Sequence, residues 1–260
     1  MRVFGYLLLF IISFAVTVVW KFPVAGVLPH VNTQPVTVAG VAGTLWKGSA
    51  QQVTSVNPPV VASNVQWRFL PAALMAGNTS ANLEFEVLGG SGNGNVSRHV
   101  TSGDVHVTDG TFRMPAANLA QFLPLPIVDF GGSLLADIES LALENNLLTQ
   151  TKGTVVWRNA EVTGAVQAAL GQVVLDVSPQ AVDGKPSHIA KISNNEGDLE
   201  INGEMQIDIN GNYRADLKLK PTATANQGLS GVLGSLGPIA KRESDGSYRI
   251  RNSGNIRNLM

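Results

Sequence analysis

The sequence contains no cysteine, few aromatic residues (6%) and few charged residues (14%). Without cysteine, the chain forms neither a disulfide framework nor a thiolate metal site, so apolar burial must supply its stability. The formal net charge is only -1, and no basic patch stands out. This balance argues against a nucleic-acid partner.

The longest apolar stretch lies at the beginning of the chain. Residues Val3–Val19 carry no charge and are followed by Trp20 and Lys21. A helix of about eighteen residues just crosses a hydrocarbon layer of about 30 Å, and Trp20 with Lys21 is typical of a membrane-interface anchor. We predict a transmembrane anchor over 1–21, with a cytoplasmic N-terminus and an exported body over 22–260. A cleaved signal peptide is the alternative.

The remaining residues have the pattern of strands and turns. Short valine-rich runs alternate with polar residues and are punctuated by many of the 27 glycines. We predict a mainly β (α+β) fold of antiparallel hairpins and meanders with two short helices. Six dipeptides are typical of type I′ hairpin turns: Asn93-Gly94, Asp109-Gly110, Asp183-Gly184, Asn202-Gly203, Asn210-Gly211 and Asp245-Gly246.

Individual elements follow from local patterns. Asp198–Leu219 is predicted to form a three-strand meander, and the glycine-rich stretch Gly89–Gly94 a flexible hairpin connection. The two helices are predicted over Pro115–Leu123 and around Leu229 and Leu233. Glycines at three-residue steps in the second helix predict close backbone packing on the sheet, with a conditionally folded segment as the alternative.

Several motifs occur twice in the same order. Gly43-Thr44-Leu45-Trp46 is echoed by Gly153-Thr154-Val155-Val156-Trp157, and Gly103-Asp104 by Gly197-Asp198. Unequal spacings exclude a short-period solenoid. We predict a weak internal repeat with halves at 22–130 and 131–260, which could share one curved sheet.

Four segments together resemble protein N of the bacterial type II (general) secretion pathway: 43–50, 65–71, 153–160 and the glycine-stepped leucines near the end. The resemblance implies an inner-membrane protein with a periplasmic domain that assists the export of folded proteins across the outer membrane. It implies no catalytic residue and no cofactor. The implied partners are other secretion components, of the inner-membrane platform or the outer-membrane channel.

The search for chemistry yields no catalytic, cofactor or metal site. The four histidines lack metal-ligand spacing, and His106 is predicted to lie on the solvated face of a strand. Trp46, Trp67 and Trp157 are candidate partner-contact residues, because tryptophan is enriched at interfaces; packing in the core is the alternative. A scaffold is the leading hypothesis, and a lipid carrier with an apolar groove in a curved sheet is the alternative.

Overall fold

The computed structural model describes residues 23–27, 36–56, 59–121, 128–144, 147–164, 167–182, 185–225, 227–235 and 240–255. The predicted anchor, with Trp20 and Lys21, lies outside these ranges. Within them, no helix has the length and hydrophobicity needed to cross a bilayer.

The described residues form fourteen antiparallel strands in one sheet. The strands are β1 (Val36–Gly43), β2 (Lys47–Val56), β3 (Pro59–Phe69), β4 (Asn78–Val87), β5 (Gly90–His99), β6 (Val105–Pro115), β7 (Val128–Glu144), β8 (Leu147–Gly164), β9 (Ala168–Val182), β10 (Lys185–Asn195), β11 (Leu199–Asp208), β12 (Asn212–Pro221), β13 (Ala240–Arg242) and β14 (Tyr248–Asn255). Each strand pairs with the next along the chain up to β12, which pairs with β14, and β13 forms the far edge. Both predicted halves therefore lie in one sheet, and the repeat itself stays a prediction.

In the described ranges, four short helices connect or flank these strands. They are α1 (Val24–Val27), a 3₁₀ helix at Pro71–Ala76, a second 3₁₀ helix at Ala116–Gln121, and α2 (Gln227–Ser235). The predicted helix at Pro115–Leu123 is thus a shorter 3₁₀ helix, and its last two predicted residues lie outside the described ranges. The predicted mainly β fold is confirmed.

The strand register gives the sheet one apolar face and one polar face. Directly paired residues on neighbouring strands lie on the same face. One row of paired positions from β4 to β14 is entirely apolar or glycine: Phe85, Gly92, Phe112, Ala136, Val155, Leu175, Ile192, Gly203, Leu217 and Ile250. A row on the opposite face is polar or charged: Asn93, Thr111, Asp137, Thr154, Asp176, Lys191, Glu204, Asp216 and Arg251.

Three of the six predicted hairpin turns are wrong. Asn93-Gly94, Asp109-Gly110 and Asn202-Gly203 lie inside β5, β6 and β11. Here glycine serves packing instead of turning: a Cβ on Gly203 would lie 2.7 Å from Leu217 Cδ2. Consequently the predicted three-strand meander consists of two strands, β11 and β12, although its inner and outer faces are as predicted.

Two predicted turns connect strands where predicted, although neither is of type I′, and one loop is corrected. At Asn210-Gly211 and Asp245-Gly246, φ is positive at the glycines (85° and 82°) and not at Asn210 or Asp245, whereas Asp183-Gly184 lies outside the described residues. The predicted connection Gly89–Gly94 belongs mostly to β5. The turn before it is made by Leu88 and Gly89, both at positive φ (55° and 66°), as a type I′ turn requires.

The largest buried cluster lies under α2. Leu229 and Leu233 are each 4% exposed and pack with residues of β8, β9, β11, β13 and β14, including Tyr248 at 5%. The predicted apolar stripe of this helix is therefore confirmed. Its predicted glycine packing is wrong at two positions, because a Cβ on Gly231 would meet nothing within 4 Å and one on Gly234 only the Tyr248 hydroxyl at 4.0 Å.

Candidate interaction surface

On the apolar face of β2–β6, aromatic rings lie over glycines. Trp67 on β3 pairs with Gly48 on β2, and a Cβ on Gly48 would lie only 2.4 Å from Trp67 Cζ2. The indole Nε1–H donates to the Leu45 carbonyl at 3.2 Å. The ring is thus held flat along the sheet instead of projecting from it.

The same arrangement recurs three strands further on. Gly92 on β5 separates Phe85 on β4 from Phe112 on β6, and the two rings are stacked with centroids 6.4 Å apart and planes 19° apart. A Cβ on Gly92 would lie 2.7 Å from Phe85 and 3.0 Å from Phe112. Because glycine has no side chain, the two rings lie against β5. Both rings remain half-buried.

The other two candidate tryptophans have different environments. Trp46 lies in the connection from β1 to β2, half-buried, with its ring edge-on to Phe69 at 5.4 Å. Trp157 lies on β8 beside the α2 cluster, contacts Phe130 at 5.9 Å and donates from Nε1 to the Gly131 carbonyl at 2.7 Å. The structure does not bring the three tryptophans into one site, and their role in partner contact stays a prediction.

The polar face carries an ion-pair network near its C-terminal edge. Asp216 on β12 accepts from Arg249 Nε and Nη2, both at 2.7 Å, and from Arg251 Nε at 3.0 Å. The hydrogen bond from Arg249, reinforced by Arg251, lowers the pKa of Asp216 to about 2 against the opposing effect of desolvation. Sequence reasoning missed this network because its members lie more than thirty residues apart.

A second pairing adjoins it. Lys218 Nζ contacts Asp245 at 2.8 Å and Glu243 at 3.6 Å. The hydrogen bond from Lys218, followed by those from Ser247, holds the pKa of Asp245 well below its usual range. These groups balance one another, so this part of the face is polar without a strong excess of one charge.

The histidines do not converge on a site. His106 is exposed on the polar face, as predicted, and His30 lies outside the described residues. His188 is 4% exposed on β10, where its Nε2 lies 3.0 Å from the Leu148 carbonyl. Among the described residues, no three His, Asp or Glu side chains are grouped to hold a metal ion.

Comparisons with known proteins identify the family of the chain. The family model for Type II secretion system (T2SS), protein N matches residues 34–251. The chain is also 24% identical over 267 residues to Type II secretion system protein N of Vibrio cholerae serotype O1 (strain ATCC 39315 / El Tor Inaba N16961), covering 98% of this chain and 99% of that protein. No solved structure matches the chain.

The chain therefore belongs to the type II secretion system protein N family, which confirms the resemblance found in the sequence. This membership makes it a component of type II secretion, a protein-transport process. The match begins before β1 and ends within β14, so it includes residues of every strand of the sheet.

Proposed function

We propose that this chain is a non-catalytic accessory component of type II secretion, anchored in the inner membrane by residues 1–21, whose periplasmic sheet docks other secretion components. Family membership supports the process. The uncharged run Val3–Val19, with Trp20 and Lys21, supports the anchor. The observation that carries the docking mechanism is β1, a long and uncharged strand at the edge of the described sheet.

The two edges of the sheet differ in how they are protected. Strand β13 has three residues, two of them Lys241 and Arg242, and short, charged edges resist further pairing. Strand β1 has eight residues and no charge, and β2 is its one sheet neighbour among the described strands. Its outer backbone groups suit the addition of an extended segment from a partner protein.

Site-specific photo-cross-linking in intact cells tests this mechanism. Photo-reactive residues are placed at Thr37 and Ala39 on β1, and at Lys47, Arg68 and Arg158 beside the three tryptophans. We expect adducts with secretion-system proteins from the β1 positions. The matched control is Glu204, which is exposed on the polar face of the inner strand β11. Adducts that are as frequent at the control position, or absent from β1, would contradict edge docking.

A second candidate function is favoured by the continuous apolar face. The row from Phe85 to Ile250 is apolar or glycine across ten strands, although Ile192 and Ile250 pack against the cluster under α2. Each acyl CH₂ removed from water contributes about 0.8 kcal/mol. In this alternative, the sheet holds phospholipid acyl chains and acts as a lipid carrier or bridge.

Mass spectrometry of the gently purified chain distinguishes this alternative. Bound phospholipid that is lost in Phe85→Asp, on the apolar face, and kept in Glu84→Gln, on the polar face of the same strand, would support lipid carriage. A lipid-free wild-type protein would exclude it. Cross-links to secretion components without bound lipid would leave the scaffold as the function.

A further inference from the structure

Four of the six exposed large apolar side chains in the described residues lie at one end of the strands, and the other two, Val56 and Val61, lie toward the opposite end. Leu45 is 41% exposed, Leu74 46%, Met75 93% and Val100 62%. We call these four side chains the apolar rim. They belong to three successive connections at the same end of β1–β6: 44–46, 70–77 and 100–104.

Hydrogen bonds join these connections side by side. Phe69 N–H, at the end of β3, donates to the Trp46 carbonyl at 2.8 Å, and Val100 N–H donates to the Gly77 carbonyl at 3.0 Å. With neighbouring strands about 4.8 Å apart, the apolar rim forms one short band along the end of the sheet. It is not a set of unrelated loop tips.

The first described residues contact the sheet at this same end. Pro23 forms a β-bridge with Thr44, in the connection that carries Leu45, and α1 follows it directly. Only three residues separate Pro23 from the uncharged run Val3–Val19. A membrane that holds this run therefore lies next to the apolar rim.

Basic side chains border the apolar rim. Lys47 and Arg68 are exposed cross-strand neighbours, and Arg98 is exposed beside the third connection. The nearby acidic group, Asp104, accepts a hydrogen bond from Ser102. Exposed apolar tips below a basic border match the acyl and anionic headgroup layers of a bilayer surface.

We propose that the apolar rim inserts into the surface of the membrane that holds residues 1–21. The protein then contacts the bilayer at two places, through the anchor and through the rim, and the sheet extends from the membrane along its strands. This proposal rests on the anchoring stated under the proposed function.

Single-cysteine labelling tests the proposal, because the natural chain contains no cysteine. Met75→Cys and Val100→Cys carry an environment-sensitive fluorophore in the full chain, reconstituted in phosphatidylcholine and phosphatidylglycerol vesicles with nitroxide-labelled lipid. The matched control is Val56→Cys, which is 71% exposed at the opposite end of the sheet. We expect a blue shift and several-fold stronger quenching at the two rim positions than at Val56.

Two further measurements make the result decisive. Adding Leu74→Asp to the Val100→Cys protein should abolish most of the quenching at Val100, whereas Val61→Asp, near the opposite end, should not.

Equal quenching at Met75 and Val56 in protein that floats with the vesicles would overturn the insertion of the rim and leave the anchor intact. Protein that does not float would overturn the anchor itself, and a rim shielded only when other secretion proteins are present would show a protein interface instead.

Discussion

The apolar face of the sheet is covered differently at strands β1–β6 and at the strands after β8. In the C-terminal part, α2 buries Leu229 and Leu233 against the sheet, and side chains as large as Tyr248 become inaccessible. Within β1–β6, the apolar residues that are fully buried in the described structure are Ala50 and Met114. The sheet thus has a packed core at its C-terminal strands, whereas at its N-terminal strands half-buried aromatic rings lie over glycines.

The difference teaches that uniform strand pairing does not give uniform stability. Backbone ladders continue from β1 to β14, but apolar burial is the dominant favourable term in folding. The C-terminal part therefore holds most of the side-chain packing energy. The N-terminal part keeps apolar surface that a lipid or a partner could cover.

The largest expected effect on the free energy of unfolding comes from the buried cluster under α2. Leu233→Ala should lower the free energy of unfolding by about 2–5 kcal/mol, because it removes a buried side chain and leaves a cavity. Leu83→Ala, on the half-buried face of β4, should cost only about 1 kcal/mol. Urea unfolding of the detergent-solubilised chain, followed by circular dichroism, measures both. Equal losses would mean that the N-terminal face is as well covered as the C-terminal one.

A smaller effect on the free energy of unfolding tests the packing of aromatic rings over glycines. Gly48→Ala should destabilise the chain by about 1–3 kcal/mol, because the new Cβ overlaps the Trp67 ring and the Ala42 carbonyl. The matched control is Gly231→Ala in α2, where a Cβ meets nothing within 4 Å; it should stabilise the chain by about 0.4–1 kcal/mol. The same unfolding assay applies. A neutral Gly48→Ala would show that the indole moves away freely.

The smallest effect concerns the ion-pair network and its pH dependence. Arg249 holds the pKa of Asp216 at about 2, below its usual 3.8, so the pair stabilises the fold above pH 3.8 and loses this effect as the pH falls through about 2. The two side chains are 39% and 34% exposed, so screening limits the gain to about 1 kcal/mol or less.

Asp216→Asn should therefore be less stable than the natural chain near neutral pH and equally stable in strong acid. Thermal unfolding across this pH range measures the difference. Glu84→Gln, an exposed carboxylate on the polar face of β4, should leave the unfolding temperature unchanged near neutral pH. A difference for Asp216→Asn that persists at the lowest pH would mean that the carboxylate acts through something other than its charge.

Sequence reasoning succeeded where the signal is periodic. The faces of β11 and β12 are as predicted even though the predicted turn at Asn202-Gly203 is wrong, because a strand alternates with period two whether or not a turn interrupts it at an even step. Leu229 and Leu233 were found for the same reason, as a helical repeat.

Prediction from the sequence failed where one dipeptide occurs in two different structures. Asn-Gly favours a type I′ turn, but glycine also permits a large neighbouring side chain to lie across the strand, as Leu217 does at Gly203. Which use prevails depends on the neighbouring strand. That strand is remote in sequence or unknown until the register is set.

The sequence by itself determined the β-rich class, the amphipathic alternation, the α2 stripe and the family, because all four depend on short-range patterns and their order. Only the tertiary structure decided the fourteen-strand order, the edge position of β1, the Asp216 network and the gathering of Leu45, Leu74, Met75 and Val100 at one end of the strands. These features arise from pairing between segments that are separated along the chain. Backbone hydrogen bonding, which is nearly independent of side-chain identity, sets that pairing together with the burial of one face.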